Sequence, residues 1–185
     1  MGKGHINPIA YGMFLALVLP GLLSGCAGRR LIAPTPPWYM LKSGMYNAAG
    51  DRVFYGIGQA GGVQNPMLLR ATADNSARRE LSAVLEDYVN ELARSAALNS
   101  DPDWASLSDG EHRQILGSLV HNALQRAVIS DHWGDSQEPT VQALCKLDLA
   151  DFMQILSDSG QLDPNIRRAL RAEAETVHAR LSQKL

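Results

Sequence analysis

Three groups of residues in this chain have types and spacing that could do chemistry. The first is Gly56-x-Gly58-x-x-Gly61 in the stretch YGIGQAGG, the glycine pattern of a loop that cradles a dinucleotide pyrophosphate. The second is Ser130, Asp131 and His132, the ingredients of a hydrolytic relay of nucleophile, orienting carboxylate and general base. The third is His112, His121 and His132, imidazoles of the kind that ligate metals.

Each chemistry needs particular elements to position it, and the surrounding sequence does not provide them. A dinucleotide site needs its glycine loop to open a helix directly, a second parallel strand within about 30 residues, and an acidic residue at that strand's end. Here the helix signal starts at Asn65-Pro66 and runs on through the place of that strand, with Glu80 in its middle. No cofactor is expected. The plainer role for Gly56 and Gly58 is to let the long helix approach the strand backbone closely, while Gly61 and Gly62 make the turn. Ser130, Asp131 and His132 are consecutive in a predicted strand, so they point to alternate faces and cannot form a relay among themselves. No G-x-S-x-G elbow occurs elsewhere. The three histidines lack i, i+4 spacing, and no CxxC accompanies them, so no metal is expected. Arg70, Arg78 and Arg79 with Asp74, Glu80 and Glu86 read as a solvated helix face with local ion pairs rather than an anion site. No catalytic residue is therefore assigned, and the chain is not expected to be an enzyme.

The positioning elements follow from periodicity and turn residues. Val53 to Ala60 is rich in aromatic and β-branched residues between turn formers, which predicts a strand. Asn65-Pro66 caps a helix on which Ala77, Leu81, Val84, Leu85, Tyr88, Val89 and Leu92 recur at three- and four-residue spacing to about Ala97. Ser108-x-x-Glu111 is a capping box for a second helix carrying Ile115, Leu116, Leu119, Val120 and Leu124. Ala127 to Gly134 and Thr140 to Asp148 read as a hairpin. In its second strand Val141, Ala143, Cys145 and Leu147 alternate with polar residues, and only Leu144 breaks the pattern. Helices at about Leu149 to Asp158 and Pro164 to Leu181 follow, the latter capped by Asp163. The order β-α-α-β-β-α-α predicts an α+β domain with a sheet of about three strands and a long packing helix.

Composition and the amino-terminal segment bound the biology. The 185 residues are 45% hydrophobic, enough for one domain with a real core. A net charge of -2, with no basic run longer than an Arg pair, gives no reason to expect nucleic acid. Residues 1–25 have the layout of a secretion signal: Lys3, then an uncharged stretch from Ile9 to Leu23, then small residues. Leu23-Ser24-Gly25-Cys26 resembles the bacterial lipobox. That resemblance implies that Cys26 becomes the first mature residue, carries a diacylglyceryl thioether and an acylated amino group, and holds the protein in a membrane. Ala27 follows where inner-membrane lipoproteins often carry Asp, which implies the outer membrane. Residues 26–50, with Pro34, Pro36 and Pro37 and no sustained period, read as a tether. The folded domain is expected over residues 51–185.

The chain also resembles a family. Trp38 after the prolines, Ser43-Gly44, VFYGIG at 53–58, Asn65, LRATADNSARREL at 69–81, DHW at 131–133 and ALCKLDLADF at 143–152 are similar to small bacterial outer-membrane lipoproteins. These are named for a twenty-kilodalton antigenic lipoprotein, and the group includes the flagellar outer-membrane lipoprotein P. The resemblance implies an α+β domain facing the periplasm or the cell surface, without catalysis, that takes part in envelope assemblies. Cys145 departs from the expected aliphatic or alanine. It sits on the apolar side of its strand and is expected to be a buried, inert small hydrophobe. The expected function is structural: association with a protein partner or with further copies, through sheet edges, the outer face of the long helix and the exposed aromatics Trp38, Tyr39 and Trp133, with a cover over the core of a monomer as the other reading of Trp38 and Trp133. A periplasmic ligand-binding or enzymatic lipoprotein is the alternative, which a deep pocket with convergent polar groups would favour.

Overall fold

Asn65 begins the dominant element. Its side-chain oxygen accepts hydrogen bonds from the backbone N–H of Met67 (3.0 Å) and Leu68 (3.3 Å), and Pro66 at the first helical position loses nothing by lacking an N–H. The helix that follows, α1, spans Pro66–Leu98, about 50 Å at 1.5 Å per residue. The computed structural model describes residues 34–48, 50–98, 102–134 and 140–184. Cys26, the predicted signal segment and the first part of the predicted tether lie outside the described residues.

Around α1 the chain folds as an α+β domain. In chain order the elements are β1 (Gly44–Ala48), β2 (Asp51–Gly61), α1, the single turn α2 (Pro102–Ala105), α3 (Asp109–Arg126), β3 (Val128–Trp133), β4 (Thr140–Asp148), α4 (Leu149–Asp158), α5 (Pro164–Leu181) and β5 (Gln183–Lys184). A 3₁₀ turn at Pro37–Met40 precedes β1. Sheet order is β3-β4-β2-β1-β5. The first four strands are antiparallel to their neighbours, and β5 adds two residues parallel to β1.

Two expectations need correction. The sheet has five strands rather than about three, because β1 and β5 were not anticipated. The segment 44–48, expected to be tether, is strand β1, turned into β2 at Gly50 with φ +94. The compact unit begins at Pro34, not at residue 51. The sequence GMYNA is too short and too poor in β-branched residues to announce a strand, and it becomes one because β2 offers it a full register from Gly44↔Tyr55 to Ala48↔Asp51.

Register divides the residues between the two faces of the sheet. Phe54, Gly56, Gly58 and Ala60 of β2, with Leu147, Cys145 and Ala143 paired across from the first three on β4, face the helices. α1 lies on this face, flanked by α3, α4 and α5. Phe54, Tyr88 of α1, Phe152 of α4 and His178 of α5 meet there edge to face, with ring centroids 4.8 to 6.3 Å apart. The opposite face carries Tyr46, Val53, Tyr55, Ile57, Leu144, Asp131 and Trp133. Among the described residues no α-helix packs there. Yet Val53, Tyr46 and Leu144 are buried, as is Trp38, and these four stand apart from the main core cluster. Residues 34–43 run over this face as a strap.

Candidate functional site

The glycine stretch is settled by what a side chain would meet. A Cβ at Gly58 would lie 2.5 Å from the Ser76 carbonyl carbon and 2.7 Å from the Ala73 oxygen, and one at Gly56 would lie 2.6 Å from the Leu81 Cβ. Both would also press on the Ala77 backbone. The space where a pyrophosphate would lie is occupied by α1, so these glycines serve helix–strand contact. The turn role belongs to Gly62, at φ +73, while Gly61 still pairs with Thr140 in the ladder.

The relay residues are likewise held for structure. The ladder shifts register between Ile129 and Asp131, which marks a bulge at Ser130. Ser130 Oγ donates to the Leu144 carbonyl (3.3 Å). His132, on the helix face, sets its Nε2 2.5 Å from Asp74 Oδ1 on α1. Asp131, on the strap face, accepts from the Trp38 indole Nε1 at 2.8 Å and from the backbone N–H of His132 at 2.8 Å. The two carboxylates thus tie edge strand β3 to α1 on one side of the sheet and to the strap on the other. Arg78 leaves the solvated face of α1 to donate to the Ala127 carbonyl (3.3 Å).

The remaining histidines are scattered. His112 stacks on Trp104 with centroids 4.7 Å apart and places Nε2 3.0 Å from the Trp104 carbonyl oxygen. His121 is exposed on α3. Among the described residues no group of three or more His, Cys, Asp or Glu side chains is placed to hold a metal ion. His178 was not singled out from sequence, and it is fully buried. Its Nε2 lies 3.2 Å from the Val53 carbonyl oxygen while Nδ1 has no hydrogen-bond partner. Burial lowers its pKa below the ordinary imidazole value, with Arg52 adding to the effect. Cys145 is fully buried, and burial pushes its thiol pKa up, which keeps it protonated and unreactive.

The three candidate interface aromatics come together in one cluster beside β3. Tyr39 and Trp133 meet in a tilted contact with centroids 4.2 Å apart and an interplanar angle of 55°. Both are half-buried. Trp38 corrects the expectation that it is exposed: it retains 8% of its accessible surface, its indole N–H satisfied by Asp131. Sequence could not find this arrangement, because it joins residues 93 positions apart. The strap is fastened at its other end by the Ile57 N–H donating to Ser43 Oγ (3.0 Å) and by the Tyr46 hydroxyl donating to the Lys42 carbonyl (2.7 Å). Leu144, opposite Asp131 in register, lies on this face with 5% of its surface exposed.

A concavity lies at the other end of the sheet. It is a wide cleft of about 540 Å³ lined by Arg52, Asp148, Met153 and Glu175 among others. Arg52 and Glu175 pair there at 2.6 Å, and Asp148 is held by Lys146 at 2.9 Å, so the charged groups satisfy one another rather than converge on a ligand. Among the described residues no helix is long and apolar enough to cross a membrane. No protein-family model matches the chain, and no curated protein is significantly similar to it.

Proposed function

We propose that this protein is a lipid-anchored component of the bacterial outer membrane whose domain works by association rather than by catalysis, as in the family it resembles. The anchor reading rests on Leu23-Ser24-Gly25-Cys26. Several acyl chains, at about 0.8 kcal/mol per buried methylene, make such an anchor nearly permanent. The observation that carries the association reading is the half-buried Tyr39–Trp133 ring pair at the end of edge strand β3. Large, partly exposed aromatics are enriched among the residues that dominate interface energetics, and a strand edge offers unpaired backbone groups to a partner.

Two measurements test the two halves. Mass spectrometry of the membrane fraction should find acylated Cys26 at the mature amino terminus, and Cys26→Ser should accumulate as precursor; a mature terminus elsewhere overturns the anchor. Protein extracted gently from its membrane should sediment as a species larger than one chain or copurify with a stoichiometric partner. A clean monomer at native abundance overturns association and moves a ligand-binding role ahead.

A further inference from the structure

Among the described residues the large hydrophobic side chains left exposed are Met40, Met67, Leu68 and Val128, and all but Val128 belong to one end of the sheet. At that end β2 leaves and β4 enters, with Gly61 paired to Thr140, and β3 stops at Trp133. Gly62 turns the chain towards α1, whose first turn carries Met67 and Leu68 beside the buried Leu69. Met40 follows Tyr39, the ring that meets Trp133. Met40 and Met67 keep 82% and 83% of their surface, so the core of the domain does not use them. Apolar residues scattered singly over a surface are ordinary, whereas several at one end of a domain mark a contact.

Charge separates the two ends of the sheet. Residues 34–41, 53–69 and 140–145 contain no Asp, Glu, Lys or Arg, and the connection 135–139, with Asp135 and Glu138, lies outside the described residues. The nearest cations among the described residues, Lys42 and Arg70, are exposed, while the nearest carboxylates, Asp74 and Asp131, already bind His132 and the Trp38 indole. The opposite end gathers Asp51, Arg52, Lys146, Asp148 and Glu175. An apolar phase can therefore meet the first end without stripping water from ions, and a phosphate there would find a cation.

The tether says which apolar phase is at hand. Pro34 stands four residues before Trp38, whose indole is bonded to Asp131 near the last residue of β3. Seven residues separate Cys26 from Pro34, a reach of at most about 27 Å at about 3.4 Å per residue and roughly half the length of α1. A bilayer that holds the lipid on Cys26 is thus always close to this end, and such confinement lets weak contacts suffice.

We propose that the end of the domain bearing Met40, Met67 and Leu68 rests on the lipid surface, these side chains entering the boundary between headgroups and acyl chains while Arg70 meets a phosphate at their rim. The inference rests on the anchor half of the reading above and adds an orientation: the charged cleft of Arg52 and Glu175 faces water, away from the bilayer.

The test places an environment-sensitive thiol dye on lipidated protein at Met40→Cys, Met67→Cys or, at the far end, Val128→Cys. The vesicles are phosphatidylethanolamine and phosphatidylglycerol with a share of spin-labelled lipid. Cys145 is buried and a lipidated Cys26 has no free thiol, so each variant presents one reactive sulfur. For a contact sunk about 5–10 Å into the interface, the dye at positions 40 and 67 should be quenched roughly threefold more than at 128. Adding Met40→Asp and Leu68→Asp to the Met67→Cys form should abolish that excess; an excess that survives both overturns the proposal, because the dye itself then makes the contact. Equal quenching at 67 and 128 overturns it too. So does a dye at 67 that is shielded from aqueous iodide yet unquenched by lipid, since protein then covers this end. Mass spectrometry of the same samples reads the lipid on Cys26. A chain without it fails the anchor and the orientation together, whereas a lipidated chain with equal quenching fails the orientation alone.

Discussion

One sheet in this molecule is buried by two different means. On the helix face, α1 runs along β2 and β4 with no side chain at Gly56 or Gly58 to hold it off, and the aromatic group of Phe54, Tyr88, Phe152 and His178 ties four elements together. On the other face, where Tyr46, Val53 and Leu144 are buried, a ten-residue strap is held by one indole hydrogen bond, one tilted ring pair and two bonds near Ser43. The first mode links segments that cannot part without unfolding the domain. The second can open alone. Stability should therefore be global on one face and local on the other.

The harshest way to break that comparison is Gly58→Ala. The new methyl would meet only helix backbone, at Ser76, Ala73 and Ala77, so α1 must lift from the sheet. A loss of about 3 kcal/mol or more is expected in urea unfolding. A loss below about 1 kcal/mol would show that α1 does not rest on the strand as described.

Acid should widen the difference between the faces. His178 is buried neutral, its pKa lowered by burial from the usual value of about 6.5. Its contribution is fully present above that value. Below it the unfolded chain takes up a proton that the folded chain resists, so stability falls with pH until the lowered folded pKa is passed. Unfolding free energies measured from pH 7.5 downward should decline below 6.5, and His178→Phe should reduce the decline. An unchanged slope in that variant refutes the assignment.

Trp38→Ala probes the strap face. Global stability should drop by about 1–2 kcal/mol, while tryptic cleavage after Lys42 rises at least as much as local opening allows. Equal loss in both measurements would mean that the strap opens only with the whole domain. The smallest effect is expected at Gly117 on α3, where an added Cβ meets nothing within 4 Å. Gly117→Ala should stabilise by about 0.5–1 kcal/mol. The same substitution with opposite signs at positions 58 and 117 would isolate close backbone contact as the cause.

The helix face was legible in the sequence and the strap face was not, for physical reasons. Asn65-Pro66, the Ser108–Glu111 capping box and the Asp163 cap are local signals, and the structure places α1, α3 and α5 on them. The alternation of β4 is local too. Its one irregularity, Leu144, is a trace of the second covered face: a leucine among outward-pointing residues needs a cover, and the buried Trp38 of the strap is bonded to Asp131, Leu144's partner in register. The cover could not be located from sequence because proline-rich segments carry no period. β5 escaped because two residues make no pattern. His178 is not legible because the apolar face of α5 runs through Ile166, Leu170 and Val177, and a histidine beside that face reads as solvent-facing until Phe54 and Tyr88 are seen around it.

The order of strands across the sheet also has a consequence in time. Central strand β2 is made early, but its partner β4 arrives only near the end of the chain, pairing Val53 with Asp148, and β5 joins β1 last of all through Tyr46↔Gln183 and the Asn47–Ser182 bond. Closing such long loops costs entropy before any contact returns it, and folds built this way form slowly. A chain emerging from one end therefore cannot complete its sheet until nearly every residue is present, and it stays threadable for as long as it is being made.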